Sequence, residues 1–146
     1  MSREVLFRAK RKDNGEWVEG YYFKTFGCRS GVKYVSHFVH VFDEDETYQI
    51  DPETLCEYTG LDDKDRCKMW EHDIVTYDNS SYSAYCEPRT GEIVWRNGCL
   101  CFKFLLYGSV TYKSFLSDDF FAMKCKVIGN SIDMPDLVGT VYYKEQ

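Results

Sequence analysis

The sequence predicts a mostly β fold, and two observations support this. Aromatic and β-branched residues come in short runs separated by Gly, Asn and Asp clusters, which is typical of strands joined by turns. No stretch shows sustained helical periodicity. With 146 residues and 44% apolar content, we expect a single domain over residues 1–146, with an N-terminal hairpin region over about 1–50 and a core region over about 51–138.

The first elements are predicted from a turn signal. The run "DNGE", Asp13–Glu16, lies between the apolar runs "VLFRAK" and "WVEGYYF". An Asn-Gly pair tolerates positive φ at both turn positions, so we expect the first two strands to form a hairpin. A loop is predicted at Phe26–Gly31 and a strand at Val32–Phe42.

The remaining elements are short. Asn97-Gly98 predicts a second hairpin, and the polar stretch Asn79–Thr90 predicts a long loop. Short helices are predicted from Ser117, where a serine cap precedes two acids, and as a single turn at Met134–Val138. The further predicted strands are Leu55–Tyr58, Asp73–Tyr77, Glu92–Arg96, Leu100–Leu106, Val110–Lys113 and Lys126–Asn130.

Charge and composition narrow the function classes. The net charge of −6 disfavours broad nucleic-acid affinity, although a local basic patch is compatible with it. The chain has no run of about 18 apolar residues, so no membrane span is predicted. The N-terminus is charged and lacks the apolar core of a signal peptide, so we expect a cytoplasmic protein. Seven cysteines without a C-x-x-C pair predict reduced thiols rather than a disulfide framework.

The residues that could perform chemistry show no catalytic pattern. His37 and His40 lie three apart in a predicted strand, so their rings point to opposite faces and cannot share one metal ion. The chain has neither a G-x-S-x-G elbow nor a glycine-rich phosphate loop, and Asp62-Asp63-x-Asp65 lacks the glycine and glutamate of an EF-hand. We therefore predict no catalytic residue, no metal site and no cofactor; two carboxylates converging from distant strands on Mg²⁺ remain an alternative.

One stretch resembles a known family. "CEYTGLDDKDRCKMWEHDIVTYD", Cys56–Asp78, is similar to the pattern Q-Y-T-G-L-x-D-K-x-G-K-x-I-Y-E-G-D-I-V of the YopX-like family of small phage and prophage proteins. Arg66 and His72 replace glycines of that pattern, which bears on the turn geometry because glycine tolerates positive φ. The matching residues are Tyr58, Thr59, Gly60, Leu61, Asp63, Lys64, Glu71, Asp73, Ile74 and Val75.

The resemblance extends over most of the chain. "LFRAKRKDNGEWVEG", "GEIVW" and "KVIGNSIDMPDLV" resemble further family motifs in the same order. The likeness implies a phage or prophage protein of a bacterial host, with a small SH3-like barrel beginning at Asp73 or a meander of short antiparallel strands, and one or two short helices. It implies no established activity. Within this pattern Asp63 and Asp73 are expected to accept backbone N–H bonds at turns.

Three function hypotheses follow. The 12 tyrosines and 3 tryptophans favour a non-enzymatic protein-interaction module whose partner is a host or phage protein, or a second copy of this chain. The candidate binding residues from the family motif are Tyr58, Thr59, Gly60, Asp63, Lys64, Trp70, Glu71 and Asp73. The alternative is a nucleic-acid binder, and a metal-dependent hydrolase is the third hypothesis. The nucleic-acid hypothesis needs one basic face, with Tyr58 or Trp70, built from Arg8, Lys10, Arg11, Lys12, Lys64, Arg66 and Lys68.

Overall fold

The mostly β prediction is confirmed in the computed structural model, which describes residues 5–77, 89–106, 109–114 and 123–137. The chain divides into two compact units, Met1–Tyr58 and Thr59–Gln146, and strand β5 passes from one into the other. The prediction of a single domain over the whole chain stays a prediction.

An antiparallel sheet forms the first unit. Its strands have the order β4-β3-β2-β1-β5, and the buried residues Ala9, Val39 and Ile50 form its core. The elements are β1 (Phe7–Lys10), β2 (Trp17–Arg29), β3 (Val32–Val41), β4 (Glu46–Gln49), the 3-10 turn Pro52–Thr54 and the start of β5 (Cys56–Asp62).

Two turns of the first unit differ from the sequence predictions. The β1–β2 hairpin forms as predicted, but Gly15 has a positive φ of 73° and Asn14 does not. The loop predicted at Phe26–Gly31 is wrong, because β2 continues to Arg29. The reversal needs only Ser30 and Gly31, whose φ values of 52° and 78° are those of a tight two-residue hairpin turn.

The second unit contains the predicted antiparallel meander. Strands β7 to β10 pair consecutively and β11 pairs with β7, giving the order β10-β9-β8-β7-β11. A cluster centred on Phe102, Ile93 and Val75 forms its core. The strands are β6 (Lys68–Trp70), β7 (Asp73–Tyr77), β8 (Arg89–Arg96), β9 (Cys99–Leu106), β10 (Ser109–Ser114) and β11 (Cys125–Asn130).

The turn, loop and helix predictions in the second unit had different outcomes. Asn97 and Gly98 both have positive φ, 51° and 81°, as the second hairpin requires. Thr90, placed at the end of a predicted loop, lies in β8, while residues 79–88 of that loop are outside the described residues. Residues 117–122 of the helix predicted from Ser117 are also outside them, and 135–137 form the short helical turn predicted near Met134.

Candidate functional site

The longest hairpin of the first unit extends past its neighbouring strands. Strand β1 pairs with β2 only up to Gly20, and β4 pairs with β3 only from Phe38. Between these points β2 and β3 pair with each other alone, in the part of the chain that the structure describes. We call this two-stranded ribbon, residues 21–37, the arm.

Large apolar side chains of the arm are exposed on both of its faces. Their exposed fractions range from 41% for Phe23 to 77% for Phe26. An isolated two-stranded hairpin is marginally stable in water, so a ribbon with this surface gains stability when something covers it. The exposed members are Tyr21, Phe23, Phe26, Val32, Tyr34 and Val35.

Contacts across the strands hold the arm in register. Phe23 stacks on Phe38, with ring centroids 5.3 Å apart and an interplanar angle of 18°. The ring of Tyr34 lies directly over Gly27, where a Cβ atom would collide with it. Gly27 therefore permits the ring to lie flat against the ribbon, and this explains a glycine inside a strand.

The arm carries only positive charge. Lys24, Arg29 and Lys33 are its ionised residues, and no acid occurs from Gly20 to Phe42. All three side chains are exposed. The rest of the chain has 15 basic and 24 acidic residues, so a basic, aromatic ribbon belongs to an otherwise acidic protein.

The family motif forms a different kind of structure, a turn organised by Asp63. Its Oδ1 accepts the backbone N–H bonds of Asp65 and Cys67, each at 2.9 Å, and its Oδ2 accepts that of Val127 at 3.0 Å. The backbone N–H of Lys64 donates to the carbonyl oxygen of Cys125 at 2.9 Å. The turn is thereby attached to β11, and Asp63 acts as the turn residue that was expected.

A second buried aspartate closes the turn between β6 and β7. Asp73 is 1% exposed, and its Oδ2 accepts the backbone N–H of Trp70 at 2.8 Å. This confirms the expectation that Asp73 fixes the start of a buried strand. Arg66 and His72, which replace glycines of the family pattern, adopt φ values of 64° and 72°. The turn geometry is therefore kept without glycine.

Comparison with known proteins agrees with this architecture. The model of the family described as YopX protein matches residues 6–139. The chain belongs to the YopX family. The crystal structure of protein EF1440 from Enterococcus faecalis is similar in fold, with a TM-score of 0.51, 22% identity, and 94% of this chain and 99% of that chain covered. A search of curated proteins gave no match. In the described residues, no helix is long and apolar enough to cross a membrane.

The predicted binding residues of the YopX motif divide by burial. Tyr58, Asp63, Trp70 and Asp73 are buried, between 1% and 7% exposed. Gly60 and Lys64 are exposed, whereas Thr59 and Glu71 are half-buried. The Thr59 hydroxyl donates to the carbonyl oxygen of Met69 at 2.8 Å, which joins β5 to β6. A binding role stays a prediction for all eight residues, and Asp63 and Asp73 in addition accept backbone N–H bonds that hold their turns.

A small group of titratable residues surrounds His72. Its Nε2 lies 3.6 Å from Glu71 and its Nδ1 3.7 Å from Glu92. Burial opposes the charge of Glu92, but hydrogen bonds from His72 and Ser131 and the positive charge of Lys103 outweigh it and hold the pKa of Glu92 below its ordinary value. This group ties β7, β8 and the turn after β11 together.

The other histidines and the close cysteine pair have local partners. The Tyr22 hydroxyl and His37 Nδ1 are 2.6 Å apart, and the Thr47 hydroxyl and His40 Nδ1 are 2.9 Å apart. Consecutive pairing in β3 puts these two rings on opposite faces, as predicted. Among the described residues no group of three or more His, Cys, Asp or Glu side chains could hold a metal ion.

The arm was missed by sequence reasoning, although one signal for it was present. "VKYVSHFVHV" is a strong strand pattern, and such a strand needs a partner of similar length. The segment Phe26–Gly31 contains glycines, a serine and a cysteine, which suggested a loop. The length of β3 was therefore the better guide to the length of β2.

Proposed function

We propose that this YopX-family chain is a non-enzymatic protein-interaction module and that the arm is its binding surface. The single observation that supports this is the exposure of six large apolar side chains on a two-stranded ribbon. We also propose that the protein is phage- or prophage-encoded, acts in the cytoplasm of its bacterial host, and binds a host or phage protein or a second copy of itself.

The exposed area of the arm is large enough for recognition. Four aromatic side chains that are 41–77% exposed offer roughly 400 Å² of apolar surface over the two faces of the arm, given about 200 Å² for each ring. Exposed apolar side chains clustered on one element, rather than scattered singly over the surface, are typical of interaction sites. Tyr, Phe and Arg, which the arm carries, are also enriched at protein interfaces.

Nucleic-acid binding is a second candidate, and the arm supplies the observation that favours it. Exposed aromatic rings next to Lys24, Arg29 and Lys33 are typical of surfaces that stack on single-stranded bases. The basic face suggested by the sequence is less suitable, because Tyr58 and Trp70 are buried and offer no open ring. Protein binding remains the first proposal because three positive charges are few for a phosphate backbone.

Paired variants test whether the arm binds a protein. A tagged chain and its Phe26→Ser variant are used to capture proteins from cells that carry the phage or prophage. Val110→Ser is the matched control, because Val110 is 50% exposed but lies on β10 of the second unit. We expect Phe26→Ser to lose a specific captured protein that Val110→Ser retains. Capture of the same proteins by all three chains, with unchanged circular dichroism, would contradict the proposal.

A further inference from the structure

In the part of the chain that the structure describes, the arm has an open backbone edge on β2. Because the two-residue turn Ser30-Gly31 joins the strands, Arg29 and Val32 form a hydrogen-bonded pair, and such pairs recur every second residue. Lys24, Phe26 and Cys28 therefore direct their backbone N–H and C=O groups away from β3. In the described part of the chain, no strand lies beside them, since β1 ends opposite Gly20.

The opposite edge of the arm, on β3, is shorter. Its outward groups belong to Lys33, Val35 and His37, but the carbonyl oxygen of His37 already accepts the N–H of Ile50 at 2.9 Å. Two residues of β3 thus remain at that edge, against three on β2. An added strand gains more backbone hydrogen bonds on β2, which also carries Phe26, the most exposed large apolar residue of the arm.

A second copy of β2 fits this edge better in the register centred on Phe26 than in the register centred on Lys24. In an antiparallel pair centred on Phe26, each Phe26 faces the other, and Lys24 faces Cys28 of the second copy. On the other face, Phe23 lies opposite Arg29 of the second copy, within reach for a cation–π contact. Moving the axis to Lys24 would place two lysines directly opposite each other, which is unfavourable.

We propose that two copies of this chain pair through their arms, β2 against β2 in antiparallel orientation, with the two Phe26 side chains meeting on the twofold axis. The inference rests on the proposed role of the arm as a binding surface. Pairing forms a continuous four-stranded ribbon and covers the open edge of each β2. Three residue pairs, formed by Lys24, Phe26 and Cys28, each exchange two backbone hydrogen bonds.

The charge of the arm gives this self-association a specific salt dependence. Two arms that each carry three positive charges repel one another, and added salt screens that repulsion. Dimerisation of the unaltered chain should therefore strengthen with increasing salt, measured by light scattering over a concentration series. An acidic protein or a nucleic acid bound to the same arm would instead dissociate as salt increases. A monomer at every concentration and salt, or association that weakens with salt, would overturn the proposal.

A cysteine cross-link tests the register. In a Cys28→Ser background, Phe26→Cys places two thiols on directly opposed residues, with Cα atoms about 5.5 Å apart, which a disulfide can span. Glutathione disulfide oxidises the thiol pair and is itself reduced to two glutathione thiols. Val35→Cys in the same background is the control, because Val35 is also exposed but lies on the other strand. We expect a covalent dimer as the main product of Phe26→Cys alone.

Two outcomes separate this inference from the proposed function. Equal cross-linking of the Phe26→Cys and Val35→Cys variants would refute the β2 pairing. If the unaltered chain is monomeric while Phe26→Ser still abolishes capture of another protein, the arm is an interaction surface and self-pairing is wrong.

Discussion

Replacing Asp63 with alanine removes a carboxylate that accepts three backbone N–H groups of the second unit. Two of these groups belong to the turn itself, at Asp65 and Cys67, and the third belongs to Val127, 64 residues further along the chain. Asp63 is 6% exposed, so in the variant water reaches the vacated position poorly. The turn and β11 should therefore separate more easily.

The size of the effect follows from the exposure of the three donors. A hydrogen bond to a charged acceptor contributes about 1.5–3 kcal/mol, and this range applies to the half-buried Val127. Asp65 and Cys67 are exposed, so water replaces the acceptor and each loss is about 0.5–1.5 kcal/mol. We expect Asp63→Ala to lower the free energy of unfolding by about 2.5–6 kcal/mol, a large part of a typical domain stability.

Urea unfolding followed by tryptophan fluorescence measures this change, since Trp70 and Trp95 belong to the second unit. Asp65→Ala is the control: it removes the same charge from an exposed side chain and keeps the backbone donor. Asp63→Asn should show an intermediate loss, because one amide oxygen remains while its NH₂ group faces a donor. Faster amide exchange at Val127 should accompany both Asp63 variants. A loss below about 1 kcal/mol for Asp63→Ala would refute the reasoning.

Two further predictions concern Arg66, in the turn held by Asp63, and Glu92 on β8. Arg66→Gly should raise the free energy of unfolding by about 0.5–1 kcal/mol, because glycine adopts φ 64° without the steric cost that an L side chain incurs. Urea unfolding measures this change, and a lower free energy of unfolding for the variant would contradict the prediction. The lowered pKa of Glu92 means that the folded state binds this proton less readily than the unfolded chain. The stability contributed by Glu92 is therefore complete above the ordinary carboxyl pKa and is lost as pH falls through its folded pKa. Glu92→Gln should flatten the acid side of the stability–pH curve, and identical slopes for the two chains would contradict this.

The sequence predicted the strands well where a strand is buried in the core. Asp73–Tyr77 matches β7 residue for residue, because its apolar run lies in the core of the second unit. The prediction failed at Phe26–Gly31, where both faces are exposed and no apolar alternation is needed. The three-residue strand β6 was also missed, because Lys68–Trp70 is too short to show a pattern.

The turns show how local signals differ in reliability. Asn97-Gly98 and Asn14-Gly15 have the same sequence, but only the first adopts positive φ at both positions. The first hairpin instead closes through a longer turn, in which the N–H of Gly15 donates to the carbonyl oxygen of Arg11 at 2.9 Å. Strand register, fixed by pairing across the sheet, decides between these geometries, and no dipeptide encodes it.

The candidate site was harder to predict than the fold for a physical reason. Asp63 could be identified as a turn residue from its neighbours, but its bond to Val127 joins positions 64 apart and depends on the complete second unit. In the arm, by contrast, the pairing joins residues that are close in sequence, because β2 and β3 are connected by a two-residue turn. Its exposure depends on where β1 and β4 end, and these ends are set by turns elsewhere in the first unit.

The YopX motif and the proposed binding surface lie on different parts of the chain, and this limits what family membership can transfer. Four of the eight motif residues considered as binding candidates are buried, and two of these, Asp63 and Asp73, hold turns by accepting backbone N–H bonds. A motif of this kind specifies a fold, because any chain that needs the same turns needs these residues. Phe26, the most exposed apolar residue of the arm, accepts no such bonds that hold a turn. Relatives that share the motif are therefore expected to share the scaffold, and under the proposed function their binding differs with the residues that correspond to Phe26.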